Sequence, residues 1–363
     1  MNINIKREDI LPALQIVNGV VERRQTLPIL SNLLLAAAKD KLMLTASDME
    51  VELVAEIDKP CDEAGEITLP ARKLLDICRA LPEDAEIKIQ TSGDQIQVRS
   101  GKSRFTLSTL PAQEYPLVEM GDPTAEFSLS QQTLKSLLDK AAFAMAQQDV
   151  RYYLNGLLLE MENNTIRTVA TDGHRLALCN TGIELEMEQP VQIIVPRKGV
   201  QELIRLLEDS DREVTVRISG NHIQIVMDGL QFTSKLIDGK FPDYERVIPE
   251  FGKTPIVADR EQLRQSLIRA SILSNEKYRG VRLLLDKDRL RAIAHNPEQE
   301  EAEEEVAVKY DGPELEIGFN VSYLLDALAI IKSTQVRLTI NDPNSSCLLL
   351  PEESSDCKYV VMP

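Results

Sequence analysis

Apolar and polar positions along this chain fall into three successive blocks that read alike. The first block opens with REDILPALQIV, apolar at helical spacing, and continues with LPILSNLLLAAAKDKLMLTASD, two strand-like runs broken by a polar turn. The second repeats this as SQQTLKSLLDKAAFAM and RYYLNGLLLEMENNTIRTVATD, and the third as DREQLRQSLIRASIL and KYRGVRLLLDKDRLRAIAHN. Each predicts an amphipathic helix, a short link, a strand, a turn and a strand. Asp48, Asp172 and Asn296 close the matching strands at a constant spacing of 124 residues.

The second half of each block agrees as well. ITLPARKLLDICRAL with AEIKIQTSGDQIQVRSGKSRFTLSTL corresponds to IIVPRKGVQELIRLL with EVTVRISGNHIQIVMDGLQFTSKLI, and then to IGFNVSYLLDALAII with QVRLTINDPNSSCLLLP and KYVVMP. Each reads as strand, helix, then alternating strands joined by polar turns. Period-2 alternation in IKIQ and VTVRI predicts antiparallel sheet with one wet face. Helices gathered on one face of antiparallel sheets define an α+β class. A period this long exceeds a solenoid unit. It predicts three similar domains in series, 1–122, 123–249 and 250–363, with helical spans at 7–24, 71–80, 131–145, 197–207, 260–271 and 320–332.

Composition narrows the picture. There is no Trp and aromatics are 4%, so the apolar mass is aliphatic and suits helix-on-sheet packing. The N-terminus has no signal-peptide pattern and no apolar run is long enough to span a bilayer, which points to the cytoplasm. The five cysteines, Cys61, Cys78, Cys179, Cys347 and Cys357, form no C-x-x-C pair and no cluster with His. Free thiols are expected, with no metal and no cofactor.

A net charge of −17 argues against a nucleic-acid partner until its distribution is considered. The six helical spans carry 15 basic and 8 acidic residues, whereas the rest of the chain carries 26 basic and 50 acidic. Cationic helices with anionic strands and loops suit helices that line a hole sized for DNA, attracting phosphate weakly while the outer surface repels it.

The two ends of the chain differ in character. Near the end of block one, Lys102 and Arg104 alternate with Phe105 and Leu107; in block three, Glu300, Glu301, Glu303 and Glu304 form an acidic run, of the kind most often found in a solvated loop. Opposite charge at opposite ends suits a head-to-tail contact, which closes into a ring when the rotation fits. Phe105 and Leu107 against Ile272 and Leu273 would supply its apolar anchors.

These residues carry a resemblance. TLPILSNLLL, LPARKLLDICRALP, SRFTLSTLPA, QDVRYYLNG, VATDGHRLA, VPRKGV, FTSKLIDGKFPDY, ILSNEKYRGVRL, HNPEQEEAEEE, IGFNVSYLLDAL and YVVMP are similar to the bacterial DNA polymerase III beta subunit, the sliding-clamp family, over essentially the whole chain. The resemblance implies a non-catalytic processivity factor, a head-to-tail homodimer whose helices line a hole for duplex DNA. It implies DNA contacts at Arg24, Arg72, Gln148, Tyr152 and Tyr153, with Arg197 and Lys198 as further basic candidates. For the tyrosines, adjacent positions on a strand would point to opposite faces, leaving one partly buried.

The resemblance also implies a groove that receives short linear motifs from the polymerase III catalytic subunit, the clamp loader, other DNA polymerases and repair or ligation factors. The matching positions are Leu154, Thr171, Gly173, His174, Arg175, Leu176, Pro242, Arg246, Val247, Ser346, Met362 and Pro363. Leu, Val, Pro and Met make an adaptable apolar pocket, with Arg and His at its rim. Two departures stand out: the family often runs a few residues past Pro363, and Asn344 sits where an apolar residue would be more natural.

Rival readings find less support. Asp172-Gly173-His174-Arg175 could suggest acid–base chemistry, but G-x-S-x-G, P-loop and H-E-x-x-H patterns are absent and a tight turn explains Asp-Gly. A repeat scaffold that binds peptides without forming a ring would differ by remaining monomeric.

Overall fold

The computed structural model describes residues 1–21, 27–184, 189–252 and 254–363. Within them one element order runs three times: strand, helix, three strands, then strand, helix, three strands, counting a hairpin's return as a new strand. The helices are α1 (Arg7–Val17), α2 (Ala71–Ala80), α3 (Gln131–Ala142), α4 (Arg197–Leu206), α5 (Arg260–Ser271) and α6 (Val321–Ile330). The class is α+β, as the patterning predicts.

Helix ends follow from local chemistry. Asp259 caps α5 by accepting the Gln262 N–H at 2.8 Å, and Asn320 caps α6 by accepting that of Ser322 at 2.9 Å. The first helix stops at Val17, short of the expected 24. There Asn18 turns its N–H back to Leu14, and Arg205 donates to the exposed Ile16 carbonyl at 3.3 Å. Residues 22–24 of that span, Arg24 among them, lie outside the described residues.

The repeat register has a physical basis. Asp48 Oδ1 accepts the N–H groups of Glu50 and Val51, at 2.9 and 2.7 Å. Asp172 Oδ1 accepts those of His174 and Arg175, at 2.9 and 3.0 Å. Asn296 Oδ1 accepts that of Glu300 at 2.8 Å. A short side chain that folds back on the backbone two to four residues on is what each hairpin turn requires.

The chain divides into two compact units, each assembled from pieces of two repeats. The first comprises Met1–Lys135 and Lys198–Leu236. It holds a four-stranded sheet (Asn2–Lys6, Glu86–Ser92, Gln95–Ser100, Ser103–Ser108 in spatial order) and an eight-stranded one. In the larger sheet Val51–Asp58 of the first repeat pairs with Leu230–Lys235 of the second, Leu53 opposite Phe232. The second unit comprises Ser136–Arg197 and Ile237–Pro363. Its twelve-stranded sheet joins Arg175–Gly182 of the second repeat to Cys357–Val361 of the third, Leu176 opposite Val360. Both joins link the third strand of one half-repeat to the third strand of another.

Two third strands lack such a partner within the described residues. Ser103–Ser108 is the outer strand of its sheet. Glu301–Lys309 pairs along one side with Arg289–His295, but on the other only Val308 and Lys309 meet Val257 and Ala258. The acidic run therefore folds as a strand rather than a loop, because cross-strand cations hold it. Glu303 pairs with Arg291, Glu305 with Arg289, and Glu301 lies 3.2 Å from the His295 ring.

The expectation of free thiols fails at one pair. Cys179 and Cys357 face each other across the joined strands and are disulfide-bonded. Their 178-residue separation concealed the contact; the antiparallel register creates it. Cys61, Cys78 and Cys347 are free.

Candidate peptide groove and nucleic-acid interface

The groove candidates gather in the second unit around one apolar cluster. Leu158, Val169, Leu176, Leu178, Ile194, Phe241, Tyr244, Leu348, Leu350 and Val360 are buried together, with Tyr153, Ile237 and Ile248 packed against them. Above this floor, the turn at Asp172–His174 and the C-terminal residues meet: Met362 donates its N–H to the His174 carbonyl at 2.9 Å. Gly173 adopts φ 88°, a backbone that strongly favours glycine, and it receives cover from the Arg151 guanidinium, 3.0 Å from where a Cβ would lie. Thr171 Oγ1 accepts the Gly173 N–H and donates to the Arg175 carbonyl, which fixes the turn.

Pro242, Arg246 and Val247 are exposed on the segment that follows Phe241, with Arg246 paired to Asp243. Met362 and Ser346 are half-buried, and Pro363 is exposed. Leu154 and Leu176 are buried, Leu176 to 1% exposure, so they support the floor rather than offer surface to a ligand.

Arg175 is the most constrained charge at this site. Its guanidinium lies 5.3 Å from the Phe143 ring centroid and 4.8 Å from that of Tyr323. It also donates to Asp172 at 3.1 Å, to the Phe143 carbonyl at 2.9 Å, and to Asp326. His174 stacks on the same Tyr323 ring, centroids 6.1 Å apart. Phe143, Asp172, His174, Arg175 and Tyr323 line a pocket of about 370 Å³, together with Asp149 and Arg197. Sequence reasoning missed Tyr323, Phe143 and Asp326. A lone Tyr in an apolar helix carries no signal of its own; the fold of α6 presents it.

Tyr244 of the apolar cluster also anchors a polar network. Tyr244 Oη donates to Glu160 at 2.6 Å, Arg167 donates to both, and Gln192 donates to Glu160. Burial alone would raise the Glu160 pKa, but these hydrogen bonds and the Arg167 charge outweigh it and hold it below the usual carboxylate value. Burial, aided by the Glu160 carboxylate, pushes Tyr244 up to about 12.

The nucleic-acid candidates divide between the units. In the second, Asn155 locks the loop before Tyr152 by accepting the Asp149 N–H and donating to its carbonyl. Gln148 is exposed at φ 56°, and Tyr152 is 57% exposed. Tyr153 packs on the apolar cluster. The two tyrosines stand on the 3-10 turn Tyr152–Leu154, not on a strand, and their rings meet edge to face at 5.8 Å. Arg197 Nη1 donates to the Met145 carbonyl at 3.0 Å. Arg151, missed from sequence, donates to Asp149 through side chain and backbone, drawing that carboxyl down to about 2. In the first unit Arg72 is exposed on α2 and donates to the Val21 carbonyl at 2.7 Å. Lys198 pairs with the nearly buried Asp48 carboxylate.

Of the contact residues expected at the chain's two ends, Lys102 and Arg104 are exposed, Phe105 is half-buried and Leu107 is buried within its own sheet. Ile272 is 73% exposed at the end of α5, Leu273 half-buried, and Tyr278 adds an exposed ring that sequence reasoning overlooked.

A threefold repeat of helix-backed antiparallel sheet describes a clamp-type protein. Profiles for the N-terminal, central and C-terminal domains of the DNA polymerase III beta subunit match residues 1–119, 128–243 and 245–363. The chain is 54% identical over 364 residues to the beta sliding clamp of Pseudomonas aeruginosa, covering all of this chain and 99% of that protein. It is 49% identical over 365 residues to that of Escherichia coli K12, with the same coverage. A crystal structure of the Pseudomonas aeruginosa clamp with ligand superposes at a TM-score of 0.98, covering 100% of this chain and 99% of that one. A Caulobacter crescentus clamp, 38% identical, superposes at 0.95, covering 100% of this chain and 98% of that one. The chain belongs to the DNA polymerase III beta subunit family. It is a sliding-clamp processivity factor, a non-catalytic subunit.

Proposed function

We propose that two copies of this chain close head to tail into a ring around duplex DNA, and that the ring tethers the replicative polymerase through the groove beside His174 and Met362. The observation that carries the ring is the pattern of strand joins. Val51–Asp58 joins Leu230–Lys235, and Arg175–Gly182 joins Cys357–Val361, in each case stepping on by one repeat. The next step would join Glu301–Lys309 to the equivalent strand of a following repeat. Ser103–Ser108 of a second copy is that strand, and its outer edge is unpaired. An unpaired edge is a template for another chain.

The domains take the bounds 1–122, 123–249 and 250–363. Lys102, Arg104, Phe105 and Leu107 of one copy face Ile272, Leu273, Glu300, Glu301, Glu303 and Glu304 of the other. Arg24, Arg72, Gln148, Tyr152, Tyr153, Arg197 and Lys198 contact DNA without reading sequence, since Arg and Lys meet phosphate and a Tyr face or hydroxyl serves any base or backbone. Few strong phosphate contacts leave low barriers to sliding.

The groove takes linear motifs of the polymerase III catalytic subunit, the clamp loader, other polymerases and repair factors. Its apolar lining with Arg175, His174 and Arg246 nearby supports a segment with apolar anchors and a carboxylate or other acceptor. No helix among the described residues is long and apolar enough to cross a membrane.

The test is topological. Clamp loaded on a nicked circular plasmid should remain bound through gel filtration and be lost when the plasmid is linearised. Equal loss from circle and line would refute the ring.

A further inference from the structure

The turn Asp48–Glu50 of the first repeat is the counterpart of Asp172–His174, and its middle residue has the same left-handed backbone: Met49 at φ 74°, Gly173 at φ 88°. Glycine adopts this conformation freely, while a methionine there is strained. Burial does not compensate, because Met49 is 54% exposed. A strained, solvent-facing methionine gains nothing for the fold that glycine would not give.

Two neighbouring elements present the same feature. Tyr115 accepts the Ser47 N–H at 3.0 Å and donates to the Asn32 carbonyl at 3.3 Å, while its ring packs with Ile29, Leu30 and Leu34. Just beyond it, Val118 donates its N–H to the buried Glu52 carboxylate. The 3-10 turn Pro28–Ser31, the Met49 turn and the segment after Tyr115 thus converge on one ring. Each sends one apolar side chain outward: Leu27 at 46%, Met49 at 54% and Leu117 at 56% exposure. Glu50 of the Met49 turn and Glu114 and Glu119 on either side of Tyr115 are exposed and form no ion pair among the described residues. The equivalent turn in the second repeat is bordered by Arg151, His174 and Arg175 instead.

We propose that this surface of the first repeat is a second docking site, for a short linear segment of a partner protein that carries apolar anchors flanked by lysine or arginine. Its form as a linear-segment site rests on the groove reading, because the same turn and 3-10 element are reused. Its charge preference is opposite, set by three exposed carboxylates with no ion-pair partner among the described residues.

The test uses the full-length protein with its groove blocked by Val247→Arg and Met362→Ser. The probe is a fluorescein-labelled hexapeptide, Lys-Leu-Leu-Ser-Leu-Lys with both ends capped, followed by anisotropy at about 0.15 M salt. The blocked protein should still bind it, and a Glu-for-Lys version should not bind. Met49→Gly should weaken binding by about tenfold or more, as should Glu50→Lys with Glu119→Lys, and Met49→Gly should leave the melting temperature equal or higher. Binding that needs an open groove overturns the second site and leaves the groove reading intact. Unchanged binding by Met49→Gly, or a lowered melting temperature showing that Met49 serves the fold, also overturns it. So does a mass above the dimer that Met49→Gly abolishes, since the occupant would then be another copy.

Discussion

Arg269 of α5 holds Glu304 with two nitrogens, Nη2 at 2.6 Å and Nε at 2.9 Å from the two carboxylate oxygens. This acid of the run is therefore already paired within its own chain, and the Arg269 contact lowers its pKa. The proposed contact with a second copy would then draw its charge attraction chiefly from the neighbours and its strength from apolar surface.

It follows that charge reversal at Glu301 with Glu304 should weaken the dimer modestly, by no more than about 1 kcal/mol per exposed pair. Ile272→Ala with Leu273→Ala should cost more, about 2–4 kcal/mol, because these side chains would be the desolvated anchors. Sedimentation equilibrium of the two variants checks the ranking. A larger effect from the charge pair would overturn it.

For the groove, Val247→Arg with Met362→Ser should cut affinity for the polymerase catalytic subunit by about a hundredfold while retention on circular DNA persists. These positions are surface-accessible. Leu176→Ala is a poor probe, because its burial predicts a loss of about 2–5 kcal/mol of stability irrespective of ligand. Titration calorimetry beside a circular-DNA retention assay separates the two effects.

Tyr244→Phe removes a hydroxyl bonded to Glu160 and Arg167 and should destabilise the protein by about 1–3 kcal/mol, read by urea denaturation. The pH dependence has a definite sign. Glu160 is depressed in the folded state, so its contribution is present above the ordinary carboxylate pKa and is lost as pH falls through the folded value. In Tyr244→Phe the depression is smaller, so the acid-side loss should be smaller and should be complete at a higher pH. Identical acid-side profiles would show that the network does not hold Glu160 ionised.

The Cys179–Cys357 bond closes a loop of 178 residues by sequence separation. Under oxidising conditions Cys357→Ser should unfold earlier than the parent, by up to about 5 kcal/mol on the loop-entropy model. Under strong reductant the gap should shrink to the small cost of the substitution itself. A gap that ignores reductant would mean the bond contributes nothing.

Much of the architecture was legible in one sequence because its signals are local and appear three times. The helical and strand periods fix the elements, and Asp48, Asp172 and Asn296 mark the register because each must fold onto its own turn. The segregation of charge between helices and the rest is equally a property of sequence. Tertiary structure decided what depends on pairing between distant strands. It set Cys179 opposite Cys357, gave Arg269 to Glu304, and put the Tyr323 ring against Arg175 and His174. It also placed Leu176 within the buried apolar cluster and left Tyr152 exposed, since a 3-10 turn rather than a strand carries the two tyrosines. Hydrophobic pattern says which residues avoid water, but strand register and helix docking alone determine which of them meet.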